Sequence, residues 1–157
     1  MVGAKAEHAG IIKAGAQLVS AVSCSTVPHI SIIMGASYGA GNYAMCGRAY
    51  NPRFIFTWPI GKCSVMGPDQ LAGVMEQIQR AKHSPGETAA PDYEKKMEES
   101  TAGFKSQVQR DAESYATSSM LIADGIIDPR DSRDVIGICL EVVGQARPSK
   151  SQLLARI

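Results

Sequence analysis

Residues 37–50 read SYGAGNYAMCGRAY and follow HISIIMGA, an apolar, β-branched run. They hold one aliphatic hydroxyl, at Ser37, and one thiol, at Cys46, but no histidine and no carboxylate. Glycines fall at Gly35, Gly39, Gly41 and Gly47, which suits close approach of another molecule to the backbone. One reading is a dinucleotide site, because Gly39-Ala40-Gly41-Asn42-Tyr43-Ala44 fits G-x-G-x-x-A after a strand. Such a site also needs a full crossover helix and an acid about 20 residues on. The next strand here opens at Phe54, and residues 54–68 contain no acid. A second reading is a hydrolase elbow, because Gly35-Ala36-Ser37-Tyr38-Gly39 fits G-x-S-x-G. Its partners would be His83 with Asp69 or Glu76, yet all three fall on one predicted helix, a poor arrangement for a triad. Without those partners Ser37 is a turn residue whose hydroxyl bonds locally.

A third reading is a backbone oxyanion hole. A strand that ends in small residues at a helix start presents free N–H groups and the positive end of the helix dipole. Those donors stabilise an oxygen that gains negative charge, without a catalytic side chain. A tight strand-to-helix packing turn that binds nothing explains the same residues slightly better on residue types alone.

The elements that must position this stretch follow from periodicity. A helix is predicted over 8–25, with Ile12, Ala16, Val19 and Val22 on one face. HISIIM (29–34) reads as a strand covered on both faces, FIFTW (54–58) as the next and KCSVM (62–66) as a third. A short helix is expected around 41–47. Gly67-Pro68-Asp69 starts another, with Leu71, Val74, Ile78 and Ala81 inward. SPGETAAP (84–91) reads as a loop, and Tyr93, Met97, Phe104, Val108, Ala112 and Tyr115 form one stripe of a long charged helix. Asp128-Pro129-Arg130-Asp131 caps a last helix carrying Val135, Ile138 and Val142. Strands alternating with helices predict an α/β domain with mostly parallel pairing.

Composition narrows the partners. The 157 residues are 45% hydrophobic and 20% charged, with a net charge of +1. No Lys/Arg cluster marks a nucleic acid or anionic membrane partner, and no apolar run reaches bilayer length. Glu7 and His8 interrupt what a signal peptide would keep apolar, which points to an intracellular protein. The cysteines at 24, 46, 63 and 139 form no C-x-x-C pair and no metal pattern, so they read as reduced core residues. Only Cys46 could serve as a catalytic thiol, and residue type alone does not make that case.

The run GASYGAGNYAMCGRAYNPRF, with a proline and SVMG after it, resembles the carboxyltransferase (β) subunits of biotin-dependent acyl-CoA carboxylases, methylcrotonoyl-CoA carboxylases in particular. AGIIKAGAQLVSAVSCSTVPHISIIMG resembles the segment that precedes it in that family, and DGIIDPRDSR (124–133) resembles the family's closing motif. The likeness runs along nearly the whole chain but fades over 84–123. There Met120 and Ile122 stand where the family tends to carry an arginine and a tryptophan. The resemblance implies a crotonase-like (ClpP/crotonase) α/β spiral domain. Residues 1–157 would be the C-terminal acyl-CoA carboxyltransferase part, incomplete at its N-terminus and without the N-terminal acyl-CoA domain.

The implied reaction moves a carboxyl group from carboxybiotin, carried on a partner subunit or domain, to 3-methylcrotonoyl-CoA in leucine degradation. Alternatives are the same chemistry on geranyl-, propionyl- or acetyl-CoA, and a truncated interaction module without catalysis. By alignment with the family, the backbone amides of Ala40 and Gly41 would hold the ureido oxygen of biotin as charge builds on it. Gly39 and Tyr43 would border substrate, with Tyr43 at a position that shapes the acyl pocket; ordinary helix packing explains Tyr43 equally well. A biotin nitrogen that takes the substrate proton leaves no need for a protein base, in keeping with a glycine stretch free of His and carboxylate. The family further implies acyl-CoA as ligand, a biotin carboxylase/biotin carrier partner, a homo-oligomer with crotonase-type interfaces, and no metal. A eukaryotic member would sit in the mitochondrial matrix and a prokaryotic one in the cytoplasm. Residues 1–157 alone would lack turnover.

Overall fold

The computed structural model of the chain describes residues 3–82 and 91–145. Its strands come in pairs. β1 (Ile30–Ile33) is followed after two residues by β2 (Ala36–Tyr38), and β3 (Phe54–Thr57) is followed by β4 (Lys62–Ser64). β3 lies parallel on β1, with Ile30 opposite Phe54 and Ile33 opposite Thr57. β4 lies parallel on β2, with Ser37 opposite Cys63. A two-residue β5 (Gly125–Ile126) then adds to the other side of β3, again parallel. The backbone therefore winds as a spiral, laying β1, β3 and β5 in one sheet and β2 and β4 in another. This is the α/β organisation with parallel pairing that the strand–helix alternation predicts.

The helices are α1 (Ala4–His8), α2 (Ile11–Ser23), α3 (Gly39–Ala44), α4 (Pro68–Lys82), α5 (Pro91–Asp111), α6 (Ser114–Ser119) and α7 (Ser132–Gln145). Central strand β3 supplies the core. Ile55 is 1% exposed and Thr57 2%, and Ile55 packs with Ile33, Cys63 and Ile122. Burying one such Ile contributes about 1.5–3 kcal/mol. The Thr57 hydroxyl stays satisfied by donating to the carbonyls of Trp58 and Ile33, as a buried polar group must. After α5 the chain docks on β4: the Cys63 N–H donates to the Ala112 carbonyl at 2.9 Å, and the buried Ser114 hydroxyl donates to the Pro59 carbonyl at 2.8 Å.

Several expectations need correction. The helix predicted over 8–25 is two helices, because Gly10 takes a left-handed φ of 85° between them. Its predicted inward face is not buried either: α2 has no buried residue, and Ile12 is 73% exposed. β1 is likewise only half-covered up to the buried Ile33. The glycine turn contains a strand, β2, and the helix after it starts at Gly39 and ends at Ala44. On α4 the buried residue is Ala72, while Val74, Ile78 and Ala81 are exposed. The long helix stops at Asp111, which leaves Tyr115 70% exposed on α6. On α7 the inward residue is Cys139, with Ile138 and Val142 exposed. The loop expected at 84–91 lies outside the described residues except for Pro91, which opens α5. The Asp128 cap is as expected: its side chain accepts from the Arg130 N–H at 2.9 Å, ahead of Pro129.

Between β3 and β4 the Gly61 N–H closes a turn onto the Trp58 carbonyl, with Pro59 second in the turn. A Cβ on Gly61 would lie 2.1 Å from Thr57 Oγ1 and 2.9 Å from the Ile33 carbonyl oxygen. Gly61→Ala should therefore destabilise the fold by about 1–3 kcal/mol, as overpacking does. Gly73, inside α4, has nothing within 4 Å of its missing Cβ, so Gly73→Ala should stabilise by about 0.4–1 kcal/mol. Urea unfolding midpoints measure both. Equal midpoints for the two variants would contradict this account of the turn.

Candidate functional site

α3 is the element the glycines build. Its N-cap is Tyr38 in an extended conformation, and no side chain caps it. The N–H groups of Gly39, Ala40 and Gly41 therefore lie in the first turn, where helix geometry supplies no partner. Gly39 is needed by the fold: its φ is +61°, and a Cβ there would come within 3.2 Å of the Val65 carbonyl. Gly47 is needed for a different reason, since its Cβ would meet the Asn42 carbonyl at 2.8 Å. Gly41 has open space where its side chain would be, and Ala40 beside it is exposed. Two residues past α3, Cys46 takes a left-handed φ of 61°, and the Ser31 hydroxyl holds that point by donating to the Cys46 carbonyl at 3.0 Å.

The side chains separate the readings left open by the sequence. Ser37 sits mid-strand in β2 and donates its hydroxyl to Asn42 Oδ1 at 3.1 Å. Among the described residues it has neither the strained backbone of an elbow nor a hydrogen-bonded base: φ is not positive there, its hydroxyl bonds to Asn42, and Asp69 and Glu76 are both on α4. His83 lies outside the described residues. The dinucleotide reading fails on topology, because α3 has only six residues and β2, which leads into it, pairs with β4 rather than with the strand that follows. Cys46 is a core residue, 4% exposed, and burial pushes its thiol up, away from a reactive thiolate. Cys63 and Cys139 are buried and shifted the same way.

Tyr43 projects from α3, 44% exposed, edge-to-face with Tyr50 at 6.4 Å between ring centroids. It borders an open, mainly apolar cleft of about 580 Å³ with Val65, Leu71, Val108, Met120 and Ile122. Ala40 and Gly41 do not line that cleft. The structure thus gathers Gly39, Ala40, Gly41 and Tyr43 on one six-residue helix, and of the four Tyr43 alone lines the cleft. Met120 and Ile122, where the likeness fades, are the far wall of the cleft.

Sequence reasoning missed three residues that hold the site. Asn42 links α3 to the sheet, and a poor helix former inside a short helix was the available signal. Arg48 and Asp124 had none, being 76 residues apart. Arg48 Nη2 donates to Asp124 Oδ1 at 2.6 Å and its Nε to the Ile122 carbonyl at 3.1 Å. The other carboxylate oxygen accepts from the Ile55 N–H at 2.9 Å. Among the described residues there is no cluster of three or more metal-ligating side chains, and no helix is long and apolar enough to cross a membrane.

This spiral of parallel strand pairs, with an uncapped helix start at its glycine turn, belongs to a chain that matches a known family, the carboxyl transferase domain. Residues 1–154 match that family, and the chain belongs to it. Over 144 residues the chain is 50% identical to the mitochondrial methylcrotonoyl-CoA carboxylase beta chain of Arabidopsis thaliana, covering 89% of this chain and 24% of that one. Over 147 residues it is 42% identical to the biotin-dependent 3-methylcrotonyl-coenzyme A carboxylase beta1 subunit of Mycobacterium tuberculosis, covering 93% and 27%. The crystal structure of the P. aeruginosa geranyl-CoA carboxylase beta subunit superposes with a TM-score of 0.81 at 36% identity, over 97% of this chain and 28% of that one. The crotonase-like fold expectation is met. The chain spans about a quarter of the length of the curated relatives it matches.

Burial alone would raise the Asp124 carboxyl, but the hydrogen bonds from Arg48 and the Ile55 N–H, with the Arg48 charge, outweigh burial and hold it below the usual carboxylate range. A folded value below the unfolded one makes the Asp124 contribution fully present above about pH 4 and lost as pH falls further. The Arg48–Asp124 pair is about one-third exposed, so solvent reduces its worth to about 1 kcal/mol. Asp124→Asn should be less stable than the parent near neutrality, and the gap should close as the pH falls below about 4. Thermal unfolding across that range checks it; a gap independent of pH would remove the carboxylate from the account.

Proposed function

We propose that this chain forms the biotin-facing part of a biotin-dependent acyl-CoA carboxyltransferase whose acyl substrate is 3-methylcrotonoyl-CoA. The observation that carries the reading is the first turn of α3. Its amides are uncapped, and Gly41 has no packing reason to be glycine. Alanine would favour the helix by about 1 kcal/mol; what glycine adds is bare backbone on the outside of the turn. Two adjacent N–H groups at the positive end of a helix fit an oxygen that gains charge, and the ureido oxygen of biotin is such an oxygen. Bound carboxybiotin would supply the carboxyl group and a nitrogen able to accept the substrate proton. The amides of Ala40 and Gly41 donate to the ureido oxygen and lower the cost of the charge that builds there. Gly39 lets the chain turn so that these amides face outward, and Tyr43 borders the cleft where an apolar acyl group can lie.

Ala40 is exposed and Gly41 has open space beside it, so the reading needs a second surface to exclude water, here an acyl-CoA-binding domain of another subunit. Homo-oligomeric contacts through exposed apolar faces supply the same need. Ile12 and Leu18 on α2 are 73% and 44% exposed, and Ile138 and Leu140 on α7 are 61% and 58%. A biotin carrier and its carboxylase complete the partners. Geranyl-CoA is the second substrate reading, favoured by the fit to the geranyl-CoA carboxylase subunit.

Two measurements test this. In an intact holoenzyme carrying this segment, Gly41→Pro removes one donor and should lower kcat by about 10²–10³, with acyl-CoA KM nearly unchanged. Ser37→Ala should cost less than about tenfold, the worth of one neutral hydrogen bond. The opposite ranking would falsify the backbone mechanism. Separately, the 157-residue chain should self-associate in sedimentation velocity at tens of micromolar (roughly the range for modest apolar interfaces), and a clean monomer would argue against covered apolar faces.

A further inference from the structure

We propose that Asn42 is a positioning residue that aims the first-turn amides of α3; this rests on the backbone reading above. The need for such a residue is physical. Six residues are too few for a helix to hold itself in water, and the N-terminus of α3 has no side-chain cap. Its direction must come from tertiary contacts.

Asn42 provides them at one rung of a ladder. Its Oδ1 accepts from Ser37 Oγ at 3.1 Å, and its Nδ2 donates to Cys63 Sγ at 3.5 Å. Ser37 and Cys63 are register partners across the β2–β4 pair. The carboxamide therefore straddles two adjacent strands and fixes both the height and the rotation of α3 on them. Either hydrogen bond alone keeps α3 in register on the strands; with both gone the helix is free to swivel. From the other side the chain leaving the helix passes so close that a Cβ on Gly47 would sit 2.8 Å from the Asn42 carbonyl oxygen. Asn42 is thus held between sheet and exit loop, one residue past Gly41. A rotation of α3 moves the Ala40 and Gly41 N–H vectors directly, and misplacement by about 1 Å can cost 10²-fold in rate.

A helix-forming role predicts the reverse of a positioning role, which makes alanine informative. Ala is the best helix former but reaches neither strand. In the intact holoenzyme, Asn42→Ala should lower kcat for 3-methylcrotonoyl-CoA carboxylation by about 10- to 100-fold, with acyl-CoA KM unchanged within about twofold. Asn42→Asp keeps the acceptor for Ser37 and should recover most of that kcat. If Asn42→Ala does not fold, the double variant Ser37→Ala/Cys63→Ala strips Asn42 of both partners and should give the same kcat-selective loss. An undiminished kcat in a folded Asn42→Ala or in the double variant overturns the proposal. So does a loss in which KM rises with falling thermal stability and Asn42→Asp brings no recovery. Gly41→Pro, run alongside, separates the two ideas: full activity there sinks the backbone reading, whereas an inactive Gly41→Pro with an active Asn42→Ala sinks the role of Asn42 alone.

Discussion

Asp124 grips the central strand at Ile55 from two directions. Its N–H donates to the Ile55 carbonyl at 2.7 Å, and its carboxylate accepts from the Ile55 N–H at 2.9 Å. The remaining carboxylate oxygen takes Arg48, two residues after the left-handed Cys46 that follows α3. One side chain thereby joins the end of the glycine segment, the buried strand β3 and the start of β5. A single rim ion pair is worth little. This one matters because the other carboxylate oxygen accepts from a backbone N–H of the central strand, where an unpaired N–H would carry a desolvation cost of about 1–3 kcal/mol.

With its exit anchored there, α3 is positioned from both ends. The entry is fixed by Gly39, which turns the chain out of β2, and by Asn42, which ties the helix to the β2–β4 rung. The exit is fixed by Ser31 on the Cys46 carbonyl and by Arg48 on Asp124. None of these hydrogen bonds is made by the N–H groups of Ala40 or Gly41. A helix held on one side and bare at its start is suited to offering backbone donors without rearrangement, since the donors cost no reorganisation when charge develops.

Much of this was legible in the sequence, and the limits have physical causes. HISIIM, FIFTW and KCSVM announced β1, β3 and β4 because β-branched and aromatic runs fit a pleated surface. Ala36–Tyr38 did not announce β2, since three residues next to glycine carry no period of their own. The same holds for Gly125–Ile126, which is a strand only because β3 offers it an edge. Gly10 was read through as a helix residue, whereas its left-handed φ ends α1. At the site, the glycines and the lack of a base were visible, and so was the weakness of the elbow and dinucleotide patterns. The supports were not: Arg48 and Asp124 meet across 76 residues, and nothing in residue type says which arginine finds which aspartate.

The inward faces of the helices were the least legible feature, and the reason bears on how the domain works. Periodicity locates an apolar stripe but not what covers it. On α4 the stripe through Leu71, Val74 and Ile78 was read as core, yet contact with α5 turns Ala72 inward and leaves Val74 and Ile78 outside. On α2 no residue of thirteen is buried, although Ile11, Ile12, Leu18, Val19 and Val22 are apolar. A helix of that length gains most of its stability from packing such a face, so an unpacked face is a standing demand for another surface. The role proposed for the amides of α3 would make a parallel demand, because charge stabilisation by backbone donors is strong only where water is kept out.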